Sequence, residues 1–95
     1  MMAQNVPTEL VDQTFRIAIG HYKEGKYEEA VERLYRLIRN DEKNYRLYID
    51  LADCYLKMNQ KQKAIDALES FQKLGIRSTA ISEMLSKIQT NSAVF

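Results

Sequence analysis

A single cysteine, Cys54, and a single histidine, His21, stand in a chain of 95 residues. One cysteine excludes an intramolecular disulfide framework and a cysteine-rich zinc site. It also gives no reason to place the chain in an oxidising compartment. One histidine with one cysteine cannot supply a nucleophile, a base and an orienting group together, so no enzyme is expected. Charge of either sign is not in excess: 14 Lys and Arg oppose 13 Asp and Glu, for a formal net charge of +1. That balance provides no overall field for nucleic acid or an anionic membrane, and no nucleic-acid partner is expected. No apolar run is long enough to span a bilayer, so direct membrane insertion is not expected. Met1 to Val6 lacks a basic segment followed by an apolar one, and Thr90 to Phe95 carries no anchor motif. Neither a signal peptide nor a lipid anchor is therefore expected, and the expected location is cytoplasmic.

Proline occurs once, at Pro7, ahead of all the helical periodicity, so no later helix must break at a proline. Gly20, Gly25 and Gly75 are isolated, so there is no glycine-rich loop to cradle a phosphate. What the chain does have is an ordinary globular balance, 45% hydrophobic and 28% charged residues, and an internal period. A shift of 34 residues carries Ala30 onto Ala64, Ile17 onto Leu51, Ala18 onto Ala52, Val31 onto Ile65 and Leu34 onto Leu68. Small residues land on small ones and large apolar residues on large apolar ones. A fixed period of this length marks a repeat protein, each unit of which buries its apolar face by stacking on the next.

The spacing predicts five helices. Thr8 is placed to cap the first, with Glu9 and Asp12 near its positive end. Val11, Phe15, Ala18, Ile19 and Tyr22 recur along it at helical spacing, and Gly25 ends it in a left-handed turn. A second helix is predicted over about 27–39, with Ala30, Val31, Leu34, Leu37 and Ile38 as its stripe. Glu29 with Arg33 and Glu32 with Arg36 are i,i+4 pairs in the favourable order. Asn40 to Asn44 reads as a turn. Leu47, Tyr48, Leu51, Ala52 and Tyr55 define a third helix ending near Met58. Asn59 then falls on the Gly25 corner, and Asn tolerates the left-handed turn next best. Ala64, Ile65, Leu68 and Phe71 mark a fourth helix, ended by Gly75. Ser78 is placed to cap a fifth, in which Ile81, Met84, Leu85 and Ile88 share one face. Its polar opposite face suits a helix that closes the stack.

The stretches from Ile17 to Ile38 and from Leu51 to Phe71 resemble the tetratricopeptide repeat family. The first supplies Ile17, Ala18, His21, Gly25, Ala30 and Leu34 to the family pattern. The second supplies Leu51, Ala52, Tyr55, Asn59, Ala64 and Leu68. Tyr48 sits where an aromatic is frequent. His21 and Asn59 depart from the usual aromatic and Gly, Leu37 and Phe71 from a small residue, and Glu42 and Ile76 from a Pro. The resemblance implies an all-α fold: a tetratricopeptide-like α-α superhelix of two helical hairpins plus a C-terminal capping helix. The expected layout is one domain over 1–95, with repeats at about 11–40 and 45–74 and the cap at about 78–90.

Each chemistry-bearing residue has an ordinary structural explanation. His21 takes an aromatic's place on a helix, and no second histidine joins it as a metal ligand or base. Cys54 lies beside the apolar face of its helix as a packed thiol. Glu28 and Glu29 belong to a helix's first turn, and Asp41 and Glu42 to a turn. Arg33, Arg36 and Arg39 are interleaved with glutamates, which makes them a solvated face. No metal site and no cofactor are expected. Binding is the function to which the repeat points. The resemblance implies that the first helix of each unit lines a concave groove, here through Phe15, Ile19 and Tyr22, then Ile49, Asp53 and Leu56. Phe15, Ile19 and Asp50 stand where relatives that grip a carboxylate-ended peptide carry Lys and Asn, so that clamp is absent. The expected surface is an apolar groove flanked by Lys23, Arg46 and Lys57, with Glu83 and Lys87 from the cap. The expected partner is a protein or peptide, offered as an amphipathic helix or an extended segment. The size, apolar lining and missing clamp look like the small repeat chaperones of bacterial type III secretion. The other expectation is a homodimer whose mate fills the groove.

Overall fold

The computed structural model describes residues 8–90, with side chains from residue 13 onward. Among the described residues there are five helices and no strand: α1 Thr8–Lys23, α2 Tyr27–Asn40, α3 Tyr45–Lys57, α4 Lys61–Gln72 and α5 Thr79–Thr90. The expected roles of Thr8, Glu9, Val11 and Asp12 fall on side chains outside those described.

The two hairpin corners are built alike. Gly25 has φ of 79° and Asn59 has φ of 59°, both in the left-handed region. Across the first corner the Lys26 N–H donates to the His21 carbonyl at 2.8 Å and the Gly25 N–H to Tyr22 at 3.1 Å. Across the second the Gln60 N–H donates to Tyr55 at 2.8 Å and the Asn59 N–H to Leu56 at 3.0 Å. These paired bonds satisfy the carbonyls that a helix end leaves open, and both reproduce the 34-residue shift. Side chains cap the other starts. Asn44 Oδ1 accepts from the Arg46 N–H at 3.1 Å, and Ser78 Oγ accepts from the Ile81 N–H at 3.3 Å. Of the two expected ion pairs on α2, Glu32–Arg36 closes at 3.6 Å and Glu29–Arg33 does not. Arg33 is half-buried.

Packing follows the small residues. Ala18, Ala30, Ala52 and Ala64 are all buried, which lets paired helices approach closely. Leu34, Leu37, Leu51, Leu68 and Phe71 fill the space between them. Each such side chain, fully buried, contributes about 1.5–3 kcal/mol. Leu37 and Phe71, large where the family prefers small, are accommodated in the core. Phe71 meets Tyr48 edge-on at 5.1 Å, and the Tyr48 hydroxyl donates to the Glu42 carbonyl at 2.7 Å. The chain runs α1 on α2, α2 on α3 and α3 on α4, and α5 closes against α4 and α3 through Ile81, Leu85 and Ile88.

One expected equivalence fails. Ile17 and Leu51 share a register position, yet Leu51 is 1% exposed and Ile17 is 41% exposed. On α3 the position lies against α2 as well as α4, whereas α1, among the described residues, packs chiefly on α2.

Candidate functional site

Two adjoining hollows open between α1 and α3. The inner one, about 70 Å³, has Ala18, Ile19 and Tyr22 from α1 on one side. Asp50, Asp53 and Cys54 from α3 form the other, over Ala30 and Leu34 of α2. The outer hollow, about 390 Å³, lies between Phe15 and Ile19 on α1 and Tyr45, Arg46, Ile49 and Asp50 on α3. Ile19 and Asp50 belong to both, so the two form one groove. Phe15 and Tyr45 are each 37% exposed at its open end. These residues converge because one face of α1 repeats every three to four residues (Phe15, Ala18, Ile19, Tyr22) and one face of α3 does likewise (Arg46, Ile49, Asp50, Asp53).

The helices are tied across the groove by the Tyr22 hydroxyl, which donates to Asp53 Oδ2. Tyr22 also leans edge-on against Tyr27 at 5.5 Å. The bond to Asp53, then burial, then the Asp53 charge hold the Tyr22 phenol well above its ordinary pKa, so it stays a donor. Burial first, and the Asp53 charge second, raise the Asp50 carboxyl, against a smaller opposing effect of Arg46. Burial first, then Asp53 and Asp50, push the Cys54 thiol up to about 11. Cys54 is buried and remains a thiol at neutral pH, which is the inert packed state.

Five of the six residues expected to line a partner groove lie along this one: Phe15, Ile19, Tyr22, Ile49 and Asp53. The sixth, Leu56, is half-buried and packs on the hydrophobic core instead. Of the expected flanking charges, Arg46 lines the outer hollow, and Lys23, Lys57, Glu83 and Lys87 do not line either hollow. Sequence reading set Asp50 at the place of a missing clamp residue but did not count it among the six lining residues. Its spacing from Asp53, three residues along one helix, is the feature that places both carboxylates on the groove.

His21 is half-buried, and among the described residues no three His, Cys, Asp or Glu side chains gather as a metal site. Lys63 lies over the Tyr55 ring with Nζ 5.9 Å from its centre, and the Tyr55 and Tyr35 hydroxyls meet at 3.0 Å. These contacts tie α2, α3 and α4 together. Among the described residues no helix is long and apolar enough to cross a membrane.

Hairpins joined by matching corners and stacked in register through alanines define a helical-repeat protein, a class that works by presenting a surface. A family model described as tetratricopeptide repeat matches residues 21–73, more than half of the chain. The chain belongs to the tetratricopeptide repeat family. Repeats of this family generally mediate protein–protein interaction and bind protein partners. No curated protein matches the chain.

Proposed function

We propose that this protein is a small adaptor or chaperone of the cytoplasm that holds a partner segment in the α1–α3 groove. The segment is an amphipathic helix or an extended strand, seated against Phe15, Ile19, Tyr22 and Ile49. The observation that carries this reading is the continuous groove, apolar on the α1 wall, mixed on the α3 wall and open at Phe15 and Tyr45. An amphipathic helix would place its i, i+3, i+4 and i+7 residues along such a trough. A role in shielding an aggregation-prone subunit, as in the small chaperones of type III secretion, fits the small size of the chain, the apolar part of the lining and the lack of a carboxylate clamp.

A pull-down from native cells tests the proposal, with the wild type beside the Phe15→Glu/Ile49→Glu double variant. Both substitutions fall on partly exposed wall positions, so the fold is expected to survive, which circular dichroism checks. The wild type is expected to retain proteins that the variant loses. Identical recovery by two folded baits would remove the groove as the binding site. A homodimer is the competing occupant. Light scattering after size exclusion identifies it as a dimer that the double variant converts to monomer.

A further inference from the structure

The groove is apolar on its α1 wall and carries two carboxylates, Asp50 and Asp53, on its α3 wall. We infer that it selects a partner segment carrying a lysine or arginine between apolar residues, with the cation seated between Asp50 and Asp53. This inference rests on the groove being the binding site.

The charges of the groove lead to it. Asp50 and Asp53 both line the inner hollow, between the apolar Ala18, Ile19 and Leu34. The two ion pairs seen among the described residues, Lys26–Glu24 and Arg36–Glu32, involve neither carboxylate. Tyr22 occupies Asp53 Oδ2 and leaves Oδ1 as an acceptor. The Asp50 carboxylate takes part in no hydrogen bond or ion pair among the described residues. Arg46, on the rim of the outer hollow, bears on Asp50 electrostatically but forms no bridge to it.

An occupant must now be chosen. A wholly apolar segment would cover Asp50 and leave a carboxylate buried without a partner, which is strongly unfavourable. An acidic segment would add repulsion to that burial. A lysine or arginine satisfies both needs at once. Its methylene stem lies along Ile19 and Ile49, and its charged head reaches the carboxylates, as such side chains do on mixed surfaces. The inner hollow, about 70 Å³, is the size of a side-chain tip and not of a helix, so one cation enters while its apolar neighbours stay on the outer walls.

A random dodecapeptide library displayed on phage, selected on the full chain, tests this. Lysine or arginine between apolar positions is expected to be enriched over the unselected library. For the leading peptide, replacing that residue by norleucine is expected to weaken binding about tenfold in isothermal titration, the effect of one charge-assisted contact. Against the Asp50→Asn/Asp53→Asn variant, which keeps shape and the acceptor for Tyr22, the same replacement is expected to change little. Selection without basic enrichment, or an equal norleucine effect on both proteins, overturns the inference. If neutral peptides are selected and lose binding to Phe15→Glu/Ile49→Glu, the groove stands and the cation seat falls. If basic peptides bind that variant as well as the wild type, the groove itself fails. A library that yields no binder, or a dimer closed through this face, overturns both.

Discussion

At Asp50 the fold holds a carboxylate against its own preference. Burial, with the neighbouring Asp53 charge, raises its pKa above the ordinary value. A group whose pKa is raised on folding binds its proton more tightly in the native state. Its stabilising contribution is present in acid, below the unfolded pKa, and is lost as pH rises through the folded pKa. At neutral pH the ionised Asp50 therefore works against stability. Asp50→Asn is expected to raise Tm at pH 7, and the gain is expected to vanish in acid, where the native Asp50 is already protonated. Scanning calorimetry across that range checks the sign. An unchanged or lower Tm at pH 7 would mean that Arg46 compensates the charge fully. A residue that lowers stability and sits in a groove is where a working charge is expected. Cys54, four residues on, shows the contrast: its raised pKa accompanies full burial, and it is simply packed.

Between helices the corners do the organising, and Asn59 tests how. Its φ of 59° is a conformation that alanine adopts only with strain, whereas glycine adopts it freely. Asn59→Ala is expected to lower stability by about 1 kcal/mol, and Asn59→Gly to stay within about 0.5 kcal/mol of the wild type. Urea denaturation of the three proteins gives the comparison, and equal losses for both variants would assign Asn59 a side-chain role instead. This corner was legible in the sequence because the period set Asn59 on Gly25 and the backbone demand is local. The helices, the Ser78 cap and the buried alanines were legible for the same reason: each follows from spacing within one or two turns. The tie from Tyr22 to Asp53 joins residues on different helices and depends on how two hairpins settle against each other, which no spacing within one helix encodes. The part Asp50 plays was only half legible for a related reason. Along the chain it marks a missing clamp residue on an amphipathic helix, and only the arrival of α1 makes it part of a groove wall.

Over the whole molecule the two ends of the stack are unlike. At one end α5 covers α4 and α3 with Ile81, Leu85 and Ile88 and presents Ser82, Glu83, Ser86 and Lys87 outward. At the other, α1 keeps Ile17 largely exposed, although the same register position on α3 is sealed. The repeat thus assigns a position its chemistry, and the place in the stack decides what that chemistry is worth. Leu51→Ala is expected to cost about 2–5 kcal/mol, a large part of the roughly 5–15 kcal/mol that holds a small domain together. Ile17→Ala is expected to cost less than about 1 kcal/mol, as at other partly exposed sites. Equilibrium urea unfolding measures both, with the denaturant slope unchanged if the native and unfolded states are otherwise the same. Comparable losses at the two sites would show that α1 is covered in solution. If the Ile17→Ala loss also grew with protein concentration, the cover would be a second copy of the chain, because only an associating native state gains stability by mass action. A small, concentration-independent effect leaves the α1 edge open to water and confines the search for a partner to the groove that Phe15, Asp50 and Asp53 share.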